Sequence, residues 1–204
     1  MIAVIDYGVG NLFSLAASLR YIGAESEVTS DINKLKSASA IILPGVGAFA
    51  DAYKKLESSG LVPEIEREVQ SGKPVLGICL GMQLLFDRSF EYGEHRGLGF
   101  ICGDVSPIAP DLKKRLKVPH MGWNSLNFTR PSPLFKYLSG GEYVYFVHSY
   151  YAKNCGEAVT STAEYGGIRL TASVERGNVY GTQFHPEKSG AAGLKILRAF
   201  SELK

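Results

Sequence analysis

Nowhere in this chain does an apolar run reach the roughly 18 residues that a membrane-spanning helix requires. Its start, MIAVIDYG, lacks the basic stretch and long apolar core of an export signal, and a soluble, cytoplasmic protein is expected. The cysteines, Cys79, Cys102 and Cys155, are odd in number and have no C-x-x-C spacing. That argues against a disulfide framework and a zinc site and fits a reducing compartment. Neither sign of charge dominates, with 22 Lys and Arg against 20 Asp and Glu. The basic run at Lys113, Lys114, Arg115 and Lys117 is short, so neither nucleic acid nor an acidic membrane surface is indicated as a partner. Internal repeats, low-complexity stretches and linkers are also missing. At 204 residues the chain can bury a substantial core without a metal or disulfide staple, and one domain spanning residues 1–204 is expected, with no metal site.

What is present alternates. Residues 2–5 are an apolar run of strand formers, the Tyr7-Gly8-Val9-Gly10-Asn11 loop follows, and Leu12, Leu15, Ala16 and Leu19 then recur at helical spacing up to about Gly23. Strands are expected at residues 25–29, 40–43 and 75–78, and helices at 50–56, 63–70 and 80–87, with Pro44 ending the third strand. Such alternation marks a parallel sheet covered on both faces. In the second half, segments rich in Tyr, Val and Thr replace the helical pattern, at 142–151, 158–164 and 169–175, with a hairpin turn at Arg176-Gly177-Asn178. Helical spacing returns near 191–203. The expected fold is therefore α/β, an open, mostly parallel twisted sheet with helices on both faces and antiparallel strands in the C-terminal half.

The most informative segment is Gly77-Ile78-Cys79-Leu80-Gly81, where a buried strand runs straight into a helix. Glycines on both sides suit a nucleophile elbow, in which backbone segments crowd together and leave no room for a Cβ. Cys79 would sit at a helix N-terminus, whose partial positive charge favours the thiolate, and the N–H of Leu80 would point where an oxyanion forms. A lone cysteine is more often a small buried apolar residue, which is how Cys102 and Cys155 read.

A cysteine nucleophile needs a histidine. Of His95, His120, His148 and His185, the last is best placed, because it follows a strand and precedes Pro186, which biases it to extended geometry. Glu187, two residues on, then projects to the same side and orients the ring; taken alone, His-x-Glu is commonly a solvated pair. In an open α/β sheet both Cys79 and His185 belong at the carboxyl edge of the strands, where sites assemble. Pro44-Gly45-Val46-Gly47, after the third strand, has the glycines needed to turn main-chain amides toward a ligand, and reads equally well as an ordinary connection. Gly8-x-Gly10 resembles half a dinucleotide fingerprint, but the third glycine is missing at Phe13, which counts against nucleotide binding.

These motifs, G-I-C-L-G-M-Q, P-G-V-G-A-F and F-H-P-E-K-S, resemble those of the class I, triad-type glutamine amidotransferases. The likeness continues through IAVIDYGVGNLFSL, VPHMGWN, YFVHSYY and GTQFHPEKS, in order and over essentially the whole chain. Within the family it is similar to the glutaminase subunits that serve imidazole glycerol phosphate synthesis, HMGWN being the discriminating block. The resemblance implies a flavodoxin-like fold and a Cys79, His185, Glu187 triad that hydrolyses glutamine to glutamate and ammonia without a cofactor. It also implies a heterodimer with a separate (β/α)8-barrel cyclase subunit, which uses the ammonia to make imidazole glycerol phosphate and an aminoimidazole carboxamide ribotide in histidine biosynthesis. By position in matching motifs, Gly45, Gln83, Glu91, Ser149 and Tyr150 would hold glutamine, and Val46 or Gly47 would join Leu80 at the oxyanion. Asn11, Trp123, Tyr145 and Lys188 would face the partner, although by residue type Trp123 and Tyr145 also fit as core aromatics. The family's behaviour further implies poor activity until the partner and its ligand reorganise the PGVG loop. The alternatives are a glutaminase of another pathway, such as pyridoxal phosphate or anthranilate synthesis, a general cysteine hydrolase or peptidase, and a non-catalytic binding protein of the same fold.

Overall fold

Runs of four apolar residues are too short to make stable helices but suffice for strands buried on both faces, and that is what they form. The computed structural model describes residues 1–203. Its first half runs β1 (Ile2–Ile5), α1 (Leu12–Tyr21), β2 (Ser26–Thr29), α2 (Ile32–Ser37), β3 (Ala40–Leu43), α3 (Phe49–Ser58), α4 (Val62–Gln70), β4 (Val75–Ile78) and α5 (Leu80–Leu84). The second half is mainly strand: β5 (Phe86–Ser89), β6 (His95–Arg96), β7 (Ile101–Pro107), β8 (His120–Ser125), β9 (Asn127–Phe128), β10 (Tyr143–His148), β11 (Tyr150–Lys153), β12 (Val159–Tyr165), β13 (Ile168–Arg176) and β14 (Val179–Thr182), closed by α6 (Gly190–Ser201).

The principal sheet has eight strands in the order β2-β1-β3-β4-β14-β13-β12-β9. From β2 to β14 neighbours are parallel, and β13, β12 and β9 extend the sheet antiparallel. Alternation along each strand sorts side chains to two cores. Ala3, Ile5, Ile41, Leu43 and Val75 pack with Leu35, Phe49, Leu56 and Ile65 of α2, α3 and α4. Ile2, Val4, Ile42, Leu76 and Ile78 pack with Leu15 and Leu19 of α1 and with Ile196, Leu197 and Phe200 of α6. Phe49 and Phe200 are completely buried, and truncating either to Ala would cost about 3–5 kcal/mol. Helices thus cover both faces as expected, and among the described residues no helix is long and apolar enough to cross a membrane.

Two expectations need correction. The helix expected over residues 80–87 stops at Leu84, because Phe86 and Ser89 turn inward and Asp87 and Arg88 outward in strand β5, which pairs with β6 and β7. Residues 142–151 are not one strand but two, belonging to different sheets: β10 pairs with β8 and β11 with β7, with the break at Ser149. The break lies at the carboxyl edge of the principal sheet.

The approach of α6 to the preceding turn depends on Gly193, where a Cβ would lie 1.9 Å from the carbonyl oxygen of Pro186. Pro186 begins the 3-10 turn that carries Glu187, so this contact also sets the site. Gly193→Ala is expected to cost about 3 kcal/mol and to lower Tm by about 6–12 °C, measured by thermal unfolding. An unchanged Tm would mean that helix and turn separate freely.

Candidate active site

Cys79 stands between β4 and α5 at φ +54° and ψ −110°, a region that an L-residue occupies at a cost of about 1–3 kcal/mol. Several contacts enforce it. Cys79 N donates to Thr182 O of the neighbouring strand at 2.7 Å, and Gln83 N donates to Cys79 O at 3.2 Å. A Cβ on Gly77 would sit 2.6 Å from Gly81 O, and one on Gly81 would sit 1.9 Å from Leu43 O. Both glycines are therefore required sterically, and the sulfur is held above the strand ends.

His185, just beyond β14, is fixed by its main chain. Its N–H donates to Tyr145 O at 3.0 Å, and Ser189 Oγ donates to His185 O at 2.6 Å while accepting from Tyr145 N at 2.9 Å. His185 Nδ1 lies 2.8 Å from Glu187 Oε1, with both side chains buried. Glu187 reaches the ring through the 3-10 turn Pro186–Lys188 rather than by the alternation of an extended chain. With Glu187 on Nδ1, the Nε2 side is left for sulfur. Burial alone would lower the basicity of His185, but the hydrogen-bonded Glu187 carboxylate and the neighbouring Cys79 outweigh it and raise its pKa to about 9.

α5 has only five residues, so its dipole gives the sulfur less than a full helix would. Gln183, which the sequence reading passed over, adds an N–H: its Nε2 lies 3.8 Å from Cys79 Sγ, and its Oε1 accepts from Gln83 Nε2 at 3.0 Å. Its position two residues before His185, at the end of a buried strand, was the available signal.

Cys79 and His185 open into a cavity of about 320 Å³ that Val46, Gly47, Leu80, Gln83, Glu91, Ser149 and Tyr150 also line. Gly45 does not line it. That glycine is buried behind the elbow, where a Cβ would lie 2.7 Å from Gly81 N, and it borders a smaller void with Asn11 and Glu187. Glu91 Oε2 accepts from Phe49 N at 2.5 Å, placing a carboxylate at the positive end of α3. Gln83 Nε2 is committed to Tyr150 O at 3.1 Å and to Gln183. A larger open groove, about 710 Å³, is lined by Arg130, Glu175 and Arg176; neither Cys79 nor His185 borders it, so chemistry rather than size selects the site.

Val147, His148 and Pro119 also line the cavity, and none was anticipated there. His148 and His120 are cross-strand partners of β10 and β8. His148 Nδ1 donates to Tyr150 O at 2.8 Å, which leaves its Nε2 to accept from His120 Nδ1 at 2.9 Å, and His120 Nε2 in turn accepts from Asn124 Nδ2 at 3.2 Å. This tautomer assignment is the one that satisfies every partner. Burial pushes His120 down to about 4 and His148 down to about 3. Both stay neutral at physiological pH, and His148, with both nitrogens engaged, is no rival to His185 as base.

Trp123 is 55% exposed, which rules out a core role. It meets the half-buried Tyr145 edge to face at 6.2 Å. Lys188 is exposed and Asn11 half-buried, on the same side of the molecule as the turn that holds Glu187. Phe13 and Met121, unpredicted, are 86% and 61% exposed.

A histidine whose pKa rises from the usual value of about 6.5 to about 9 on folding contributes stability that is complete below pH 6.5 and is lost as pH rises through 9. Urea unfolding at pH 6 and pH 9.5 is expected to show a larger loss in the parent than in His185→Gln. Equal losses would mean that the imidazolium is not held.

Residues 3–202 match the family described as glutamine amidotransferase class-I. The imidazole glycerol phosphate synthase subunit HisH of Caldanaerobacter subterraneus subsp. tengcongensis is 48% identical over 204 residues, covering 100% of this chain and 98% of that protein. The subunit of the same name from Moorella thermoacetica is 49% identical over 203 residues, covering 99% and 94%. Among solved structures, one described as a glutamine amidotransferase has a TM-score of 0.76 at 20% identity over 100% of both chains. PurLQS from Thermotoga maritima has a TM-score of 0.74 at 22% identity, covering 98% and 96%. At these identities the structural likeness shows the fold.

Proposed function

The chain belongs to the class-I glutamine amidotransferases, and from that premise we propose that it is the glutaminase subunit of an imidazole glycerol phosphate synthase, with Cys79, His185 and Glu187 as its catalytic triad. The observation that carries the proposal is the cavity in which a strained cysteine meets a buried histidine and carboxylate pair. Near-full-length relatives named as that subunit support the pathway.

Cys79 Sγ attacks the side-chain carbonyl carbon of glutamine, and the new oxyanion is held by Leu80 N–H with that of Val46 or Gly47. Imidazolium His185 gives its Nε2 proton to the amide nitrogen. The C–N bond breaks, releasing ammonia and leaving a thioester. The now neutral ring takes a proton from water as the hydroxyl attacks. The C–S bond breaks, glutamate leaves, and the thiolate and imidazolium return. Glu187 keeps the ring in one tautomer throughout. Ser149 and Tyr150 bind the glutamine backbone groups, while Gln83 and Glu91 act through the hydrogen bonds that shape the pocket. Gly45, lacking a Cβ, lets the loop close on the elbow.

The partner is a (β/α)8-barrel cyclase that seats on the face bearing Asn11, Trp123, Tyr145 and Lys188 and receives the ammonia under cover from water, where it would otherwise be protonated. Its ligand reorganises the PGVG loop. A glutaminase rate unmoved by cyclase and nucleotide would remove that part of the reading.

Cys79→Ala is expected to lower glutamine hydrolysis by about a thousandfold or more while sparing synthesis from added ammonium by the complex. Hydrolysis at the parental rate would show that another group is the nucleophile. Trp123→Ala is expected to weaken cyclase binding about tenfold or more, measured by calorimetry. Co-purification of a different synthase would favour another pathway.

A further inference from the structure

The Gly8-x-Gly10 loop, which looked like half of a nucleotide site, lies instead beneath the oxyanion loop. A Cβ on Gly10 would sit 3.1 Å from Pro44 Cβ. One residue before Gly8, Tyr7 is almost fully buried in the core that contains Leu43, Phe49 and Leu80. Its Oη donates to Pro44 O at 2.7 Å and stands 3.0 Å from the place a Cβ on Gly45 would take.

The packing here needs only the ring. A buried hydroxyl costs free energy unless it is bonded, so a phenylalanine would serve the core as well, and what the oxygen adds is the bond to Pro44. At the other end of the loop, Glu91 holds Phe49 N. Segment 44–49 is thus gripped at both ends by side chains from outside it. Between the grips, Val46 and Gly47 are exposed, and Gly47 adopts φ +99° with open space around it. A peptide is planar, so holding the carbonyl of Pro44 also fixes the opposite direction of the Gly45 N–H. The first peptide of the loop cannot turn, and the freedom that remains lies in the peptides bearing the Val46 and Gly47 amides.

We infer that Tyr7 is a positioning residue for the oxyanion loop, its hydroxyl fixing the Pro44–Gly45 peptide so that the amides of Val46 and Gly47 swing from a set hinge beside Cys79. This rests on the glutaminase reading and gives it a further part. Without the bond, Pro44 O is left unpaired and the loop wanders, so oxyanion stabilisation suffers while substrate binding and sulfur activation do not.

The test is Tyr7→Phe, assayed with the cyclase present. For glutamine hydrolysis, kcat should fall about tenfold with KM within about twofold. Alkylation of Cys79 by iodoacetamide, which requires thiolate but develops no oxyanion, should keep the parental rate. Amide hydrogen exchange should quicken over residues 45–49 and not in the strands, which also checks folding. Tyr7→Met, filling the site without a hydroxyl, guards against a folding defect peculiar to Phe and should show the same pattern. Parental kcat and exchange would overturn the assignment, and so would kcat and alkylation falling together. A parent that hydrolyses no glutamine overturns the glutaminase reading itself, an outcome distinct from an active parent with an unaffected variant.

Discussion

The site depends on a crowding of main chain. Leu43 at the end of β3, Gly45 in the following loop and Gly77 and Gly81 on either side of Cys79 approach so closely that a Cβ at any of these glycines would collide with backbone. The positive φ of Cys79 is costly in isolation. It persists because Thr182 O and Gln83 N bind the peptide groups of Cys79 and the parallel register of β3, β4 and β14 leaves the turn no other course. Folding energy distributed over two buried cores is in this sense concentrated on one dihedral angle. The same contacts bring the loop and the elbow together, so Cys79 and the amides of Val46, Gly47 and Leu80 share one scaffold.

Electrostatics then separates histidines that are similarly buried. His120 and His148 have only neutral partners, and desolvation drives both pKa values down. His185 is also desolvated, yet the Glu187 carboxylate on Nδ1 and the neighbouring Cys79 reverse the outcome. Burial does not determine which imidazole is the most basic; the charge of its neighbours does. The neutral pair has its own consequence. Through Tyr150 O and Asn124 it ties β8, whose other face carries exposed Met121 and Trp123, to the rim of the cavity.

What could be read from the sequence was whatever is local or periodic. Apolar runs gave β1, β3 and β4, helical spacing gave α1, α3, α4 and α6, and glycines flanking Cys79 announced the elbow because the steric demand falls on adjacent residues. The proximity of Glu187 to His185 was also legible, though for the wrong geometric reason, a 3-10 turn standing where extended chain was expected. What escaped was set by distant segments. α5 ends early because Phe86 finds a partner in Ile101 of β7. Gln183, Val147 and His148 enter the site only because β14 and β10 bring them there, and no spacing in the chain records that meeting. The tight packing behind Gly45, where a Cβ would meet Gly81 N, Leu80 Cβ and Tyr7 Oη, likewise has no record in the spacing of the chain.

The two halves of the site are unequally finished. On the sulfur side Cys79, Gln183 and His185 are buried and hydrogen-bonded, and Glu187 Oε2 and Thr182 Oγ1 are the buried oxygens left without a partner there. On the loop side, Val46 and Gly47 stand exposed between two fixed ends, and exposed Phe13, Met121 and Trp123 leave apolar surface to water. A solitary protein gains nothing from either feature, since in the proposed glutaminase an exposed loop beside Cys79 stabilises no oxyanion and apolar side chains in water favour association. A subunit whose product is lost to water gains from both. In the proposed glutaminase, a prebuilt nucleophile joined to an incomplete oxyanion site would hold turnover back until a second surface covers the apolar side chains, dries the cavity and selects one setting of the loop. In that arrangement the grip on Pro44 is as necessary as the glycine freedom beyond it, because a hinge transmits a setting only when one end is fixed.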